Sequence, residues 1–270
     1  MEVQTLTQLT KVKYGQTQLL VRKEELFVFY ATFIANEYCR LRMRPGDTVL
    51  DFGANVGDFT VKAASKLRGD GRVIAIEPSR KNIEIIRENL EMNNAKNVDI
   101  CGCAISGSDG YVYLDGDGSV ISRASPDANE KKERVRALSI DSFLEEYGLK
   151  NRKDLVVKMD IEGAEKYAFK SMSFIRSIRE ISMELHGLEN VQNIPRVLVN
   201  QGFRISQYKT FDEVRETMKS IALHPVDFLR LERMSRYLAF RGFLATINSK
   251  NPVAGISYDE FKIIYASRKT

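Results

Sequence analysis

Three residues able to move protons or hold a metal stand at the ends of two apolar runs. Asp160 follows Leu155-Val156-Val157-Lys158-Met159, and Glu184 and His186 close the run that begins at Ile178. A carboxylate and an imidazole side by side suit general acid–base work on a hydroxyl, and the three groups together could instead hold a divalent cation that acidifies it. His186 is one of two histidines in the chain. If the second run is a strand, Glu184 and His186 point the same way, because strand side chains alternate faces.

A second group of residues points to a ligand. Thr48-Val49-Leu50 leads into Asp51-Phe52-Gly53-Ala54-Asn55-Val56-Gly57-Asp58, and Phe59 to Leu67 then carries a helical pattern. Glycines in a strand-to-helix turn leave room for a ligand over the helix N-terminus. A dinucleotide turn reads G-x-G-x-x-G and aims its amides at a pyrophosphate. Here the pattern is D-x-G-x-N-x-G, and Asp51 and Asp58 would repel a phosphate. They suit a ligand with a positive charge and no phosphate, and S-adenosylmethionine carries both an ammonium and a sulfonium. The next apolar run ends at Glu77-Pro78. Glu77 follows Gly53 by 24 positions, close to the roughly 20-residue offset at which an acid meets ribose hydroxyls. Asp51, Gly53, Ala54, Asn55, Gly57, Glu77 and Pro78 are therefore the expected cofactor contacts, joined by Asp160 at a neighbouring strand end.

Asp51-Phe52-Gly53-Ala54-Asn55-Val56-Gly57, Glu77-Pro78 and Lys158-Met159-Asp160-Ile161-Glu162-Gly163-Ala164-Glu165 resemble the FkbM-type S-adenosylmethionine-dependent methyltransferases. The likeness runs from about Leu41 to Gly202, and the stretch from Lys158 is its most specific part. It implies methyl transfer, usually to a hydroxyl of a sugar or natural product, without identifying the acceptor. It also implies a Rossmann-like class I methyltransferase fold: a seven-stranded, mostly parallel sheet ending in an antiparallel pair.

The elements that must position these groups follow in order. Residues 1–45 read as a cap, with a hairpin around Tyr14-Gly15-Gln16-Thr17 and a helix over Glu24–Arg42, placed over the open face of the cofactor site. Residues 46–270 read as the methyltransferase domain. Strand and helix patterns alternate from 48 to 115, which argues for a parallel sheet covered by helices. The third strand is expected over Val98–Ile105, where Cys103, Ala104 and Ile105 would flank the adenine. Tyr111–Leu114 alternates like a strand joined to it. Asp115–Glu133, rich in Gly, Ser, Asp and Lys, reads as a loop, and Ser139–Tyr147 as a helix. Glu162 and Glu165 sit in a first helical turn, where acids also complement the helix dipole. Strands are expected at Gly202–Ser206 and Phe261–Ala266, with a helical insertion at about 209–255 between them. Its second helix, Asp227–Phe240, carries Arg230, Arg233 and Arg236, with Arg241 just beyond, and would recognise an anionic or sugar substrate.

Composition removes other classes. The chain has 270 residues, 43% hydrophobic and 29% charged, with a formal net charge of +5. That is an ordinary globular balance. No apolar run reaches membrane-span length, and Met1–Thr5 lacks a signal-peptide pattern, so a cytoplasmic protein is expected. Cys39, Cys101 and Cys103 form neither a zinc nor a disulfide framework. An RNA methyltransferase is the alternative to a small-molecule or glycan enzyme. Against base methylation, the chain lacks both the N-P-P-Y turn after strand four and a cysteine nucleophile; ribose O-methylation stays open.

Overall fold

The computed structural model describes residues 8–115, 123–125, 133–230 and 261–268. Strands β1 (Leu9–Tyr14) and β2 (Thr17–Arg22) pair antiparallel around Gly15. A 3-10 turn at Lys23–Glu25, the short α1 (Leu26–Phe29) and a π-helical turn at Tyr30–Ile34 follow. The single helix expected over Glu24–Arg42 is therefore broken. Asn36 adopts φ +53, which a right-handed helix cannot accommodate. Its side chain is held there, accepting from Lys62 Nζ at 2.6 Å and donating to Glu216 at 3.0 Å.

The central elements alternate as expected: β3 (Thr48–Phe52), α2 (Asp58–Leu67), β4 (Arg72–Ile76), α3 (Arg80–Met92) and β5 (Val98–Cys101). The third strand stops early, at Gly102. Residues 103–105 leave the main sheet as β6 (Cys103–Ile105), which pairs with β9 (Glu133–Leu138) at the edge of a second sheet that also holds β7 (Gly110–Asp115) and β8 (Arg123–Ser125), in the order β6-β9-β7-β8. Both halves of the run are apolar, so its pattern does not mark the break. β8 and β9 also narrow the stretch expected to be loop; its remaining residues lie outside those described.

After α4 (Ile140–Glu146), capped by Ser139 as expected, come β10 (Leu155–Met159), the short α5 (Glu165–Ala168) and α6 (Met172–Ser177). Then follow β11 (Ile178–His186), α7 (Leu188–Asn200), β12 (Phe203–Gln207), α8 (Thr210–Leu223), α9 (Pro225–Arg230) and β13 (Phe261–Arg268). Arg233, Arg236 and Arg241 of the expected arginine helix lie outside the described residues.

The seven-stranded sheet has the order β12-β13-β11-β10-β3-β4-β5. β11, β10, β3, β4 and β5 run parallel, and β13 runs antiparallel to both its neighbours. This is the expected Rossmann-like sheet with its antiparallel end. β3, β4 and β10 are buried along almost their whole length, so they read as near-continuous apolar runs rather than alternating ones. The strand order reverses between β3 and β10, and in open α/β sheets ligands bind at that switch point.

Candidate active site

Strand register places the chemistry in one line. Phe52 pairs with both Ile76 and Met159, and Met159 pairs with Met183. One residue further along each strand stand Glu77, Gly53, Asp160 and Glu184, side by side at the carboxyl edge. His186 lies two residues beyond Glu184 on the same strand.

Gly53 holds the centre of this row. Its φ is +76, and a Cβ there would sit 1.7 Å from the backbone oxygen of Asp160. Only glycine lets the turn pass this close to the exit of β10. Gly57, at φ +82, precedes α2 and packs on Ile86. Together they hold Asn55 at φ +48, with its backbone N–H donating to Glu77 Oε2 at 2.9 Å.

Glu77 is buried. Its Oε1 accepts from Ser79 N at 3.0 Å and Asn82 Nδ2 at 3.1 Å. Burial pushes its carboxyl up to about 7, against the opposing pull of the Ser79, Asn55 and Asn82 hydrogen bonds. Asp51 turns inward. It has no exposed surface, accepts from Thr60 Oγ1 at 2.5 Å and faces Lys158 Nζ at 3.3 Å. Lys158 is its cross-strand neighbour in register and donates to the Gly53 carbonyl at 2.6 Å. This acid braces the turn from behind. Asp58 is also buried and accepts from Thr32; burial raises its carboxyl to about 6. Ala54 lies buried beside Ile86, while Pro78 is half-buried. Ala104 and Ile105 are buried just past the end of β5, in the second sheet and its junction with the main core.

At the other end of the row, Asp160, Glu162, Glu165 and His186 converge. His186 Nδ1 lies 3.3 Å from Glu165 Oε1 and 3.9 Å from Asp160 Oδ1, while Nε2 lies 4.0 Å from Glu162 Oε2. Glu165 has no exposed surface; it also accepts from Gly163 N at 3.2 Å and Asn190 Nδ2 at 2.7 Å. Burial alone would lower the His186 pKa, but the Glu165 hydrogen bond and the Asp160 and Glu162 carboxylates outweigh it and raise it. Asp160 stays 27% exposed at its side chain, yet surrounding protein raises its pKa by desolvation, as expected of a cleft wall. Glu162 adopts φ +53 ahead of Gly163 at φ +98, which folds the turn back toward the histidine.

Glu184 is tied to the N-terminal segment. It accepts from Tyr38 Oη at 3.0 Å, which joins that segment to the end of β11. Burial raises its pKa well above the usual range, with Asp160 and Glu37 adding to it. Among the described residues the group with metal-ligand spacing is Asp160, Glu162 and His186, whose ligand atoms lie within 4.8 Å of one another. Glu162 takes the place expected for Glu184. Glu165 is the residue whose role was least visible, since an acid in a first helical turn has an ordinary explanation.

A family model, the methyltransferase FkbM domain, matches residues 51–221. The chain belongs to the FkbM methyltransferase family. Residues 51–221 thus form a methyltransferase FkbM domain. The 31-O-demethyl-FK506 methyltransferase FkbM of Streptomyces tacrolimicus is 30% identical over 135 residues, covering 48% of this methyltransferase and 48% of that protein. An arsenite methyltransferase of Halobacterium salinarum is 40% identical over 57 residues, 21% of this chain and 15% of that one. The aligned parts thus span half or less of these relatives' lengths. Among solved structures, a precorrin-6y C5,15-methyltransferase from Geobacter metallireducens aligns over 96% of this chain and 94% of its own, with 14% identity and a TM-score of 0.45. No helix among the described residues is long and apolar enough to cross a membrane.

Proposed function

We propose that this methyltransferase methylates a hydroxyl oxygen of a sugar, glycolipid or related metabolite. S-adenosylmethionine would lie with its ribose on Glu77 and its methionine end over Gly53 and Gly57. The sulfonium methyl would then face the β10 and β11 exits. The observation that carries the reading is the contact of His186 Nδ1 with buried Glu165. A carboxylate at Nδ1 favours the tautomer with its proton there and leaves Nε2, which lies 4.0 Å from Glu162 Oε2, as the basic nitrogen. An alcohol needs such a proton acceptor, whereas a neutral amine needs less help. The proton leaves the acceptor oxygen for Nε2 as the methyl transfers, and most of the rate comes from holding the oxygen in line with the sulfonium. The name of the Streptomyces tacrolimicus relative, which denotes methylation at an oxygen, agrees with this reading.

The Asp160, Glu162 and His186 group supports a second reading, in which a divalent cation binds the acceptor oxygen. Metal–ligand bonds of about 2.0–2.2 Å set adjacent ligand atoms roughly 3 Å apart. His186 meets Asp160 at 3.9 Å through Nδ1 and Glu162 at 4.0 Å through Nε2, both wider than that and on opposite ring nitrogens, so the base is the preferred assignment.

The test is a tritiated-methyl assay on cell extract separated into lipid, saccharide, protein and RNA pools. Label in the saccharide or lipid pool is expected. Label in RNA alone would overturn the acceptor class and direct attention to ribose methylation.

A further inference from the structure

We propose that Asn82 and Arg22 are positioning residues for the cofactor, acting through Glu77; this rests on the reading of Glu77 as the ribose-binding acid. Both are 3% exposed. Asn82, in the first turn of α3, donates from Nδ2 to Glu77 Oε1 at 3.1 Å. Its Oδ1 accepts from Arg22 Nη2 at 2.5 Å, and Arg22 Nη1 bonds Glu25 Oε2 at 3.0 Å. A buried polar chain thus runs from the N-terminal segment through α3 to the end of β4.

When Glu77 is ionised, the charges at the two ends fix the amide. A guanidinium can only donate and an ionised carboxylate can only accept. Flipping the Asn82 amide would set its NH₂ against Arg22 and its carbonyl against Glu77, two mismatches away from water. Arg22 therefore determines that Asn82 presents a donor to Glu77. The carboxylate offers about four acceptor sites. Ser79 N and Asn82 engage Oε1, and Asn55 N engages Oε2. The remaining Oε2 capacity is aimed by these three donors. Two of them belong to the strand-end turn and the glycine turn; the third depends on a residue 60 positions away in sequence. The N-terminal hairpin is also tied to α3 elsewhere, through Asn89 and Asn93 bonding β2 backbone groups at Leu20 and Gln18. Losing the Arg22 link therefore disturbs the carboxylate more than it loosens the hairpin.

Calorimetric titration of S-adenosylhomocysteine and its 2′,3′-dideoxyribose analogue onto the full chain tests this, with wild type, Asn82→Ala and Arg22→Lys compared and thermal midpoints recorded. Wild type should prefer the natural ribose. Asn82→Ala should lower affinity for S-adenosylhomocysteine roughly tenfold, the scale of one hydrogen bond to a charged group, and leave the dideoxy analogue's affinity unchanged. Arg22→Lys, which keeps the charge but not the fork, should show the same selective loss in smaller measure. Equal losses for both ligands, or no loss, would overturn the positioning role. A wild type that does not distinguish the two ligands would instead remove Glu77 from the ribose, and the proposal with it.

Discussion

Nδ1 of His186 lies 3.3 Å from Oε1 of Glu165, a carboxylate with no exposed surface. The pair joins β11 to the turn after β10, and Asn190 of α7 holds the carboxylate from the other side. If His186 takes the acceptor's proton, His186→Ala should cut turnover about 10²–10⁴-fold, the usual worth of a general base. Glu165→Gln should cut it by a smaller factor, since it loses the charge but keeps an acceptor. Cofactor affinity, measured by calorimetry, should hardly move in either. Full activity in His186→Ala would remove it from the chemistry.

Two glycines with positive φ should behave differently on substitution. Gly53→Ala places a Cβ 1.7 Å from a backbone oxygen of a neighbouring strand exit, where no side chain can yield. A loss of ~3 kcal/mol or more in urea unfolding is expected, or failure to fold. Gly163, at φ +98, has nothing within 4 Å of its would-be Cβ. Gly163→Ala should cost only the left-handed backbone penalty, ~1–2 kcal/mol.

Ligand binding should follow the Glu77 carboxylate. Its pKa is raised from an ordinary 4.5 to about 7, chiefly by burial. The ionised form accepts ribose hydroxyls best, so affinity for S-adenosylhomocysteine should weaken as pH falls through about 7. The stability effect has the opposite sense. The folded state holds this proton where the unfolded chain has lost it, so this group's stabilising contribution is full below pH 4.5 and is lost as pH rises toward 7. Glu77→Gln should bind more weakly at neutral pH and show a flatter pH profile. An unchanged profile would assign the dependence to another group.

Lys158 and Asp51 are cross-strand neighbours, 5% and 0% exposed, with Nζ 3.3 Å from Oδ1. Burial opposes the lysine's charge, yet Asp51, Asp160 and Asp58 outweigh it and raise its pKa. Lys158→Met strands a buried carboxylate and should cost ~3–5 kcal/mol. Adding Asp51→Asn should recover part of that loss. A single variant as stable as wild type would show that the pair is not holding the turn.

Turnover should survive exhaustive chelation. Loss of activity that magnesium or manganese restores would make Asp160, Glu162 and His186 cation ligands and recast the histidine.

The parallel sheet was legible because its strands are buried runs separated by helical periodicity, and the Gly53 turn because its glycines answer to backbone sterics. Asp160 and His186 were legible as strand-end residues. The break at Gly102 was not, since apolar residues continue on both sides and only tertiary pairing sends Cys103 to another sheet. Nor was the kink at Asn36, which depends on Lys62 and Glu216 from distant segments. Asp51 read as a ligand contact because spacing shows where a residue falls, not which way it faces; its register partner Lys158 turns it inward. Glu165 was hidden by its ordinary place in a helical first turn.

The contact of Gly53 with the Asp160 carbonyl works as a fixed gauge. One missing methyl group sets how far the Gly53 turn stands from Asp160 at the exit of β10, which on the proposed reading is the distance from the cofactor to the residues that meet the acceptor. A change in what this enzyme methylates would therefore have to come from chain outside the sheet. Tyr38, which reaches Glu184 from the N-terminal segment, marks one such place. On the proposed reading, acceptor choice would drift there while the reach from methyl donor to proton acceptor stays constant.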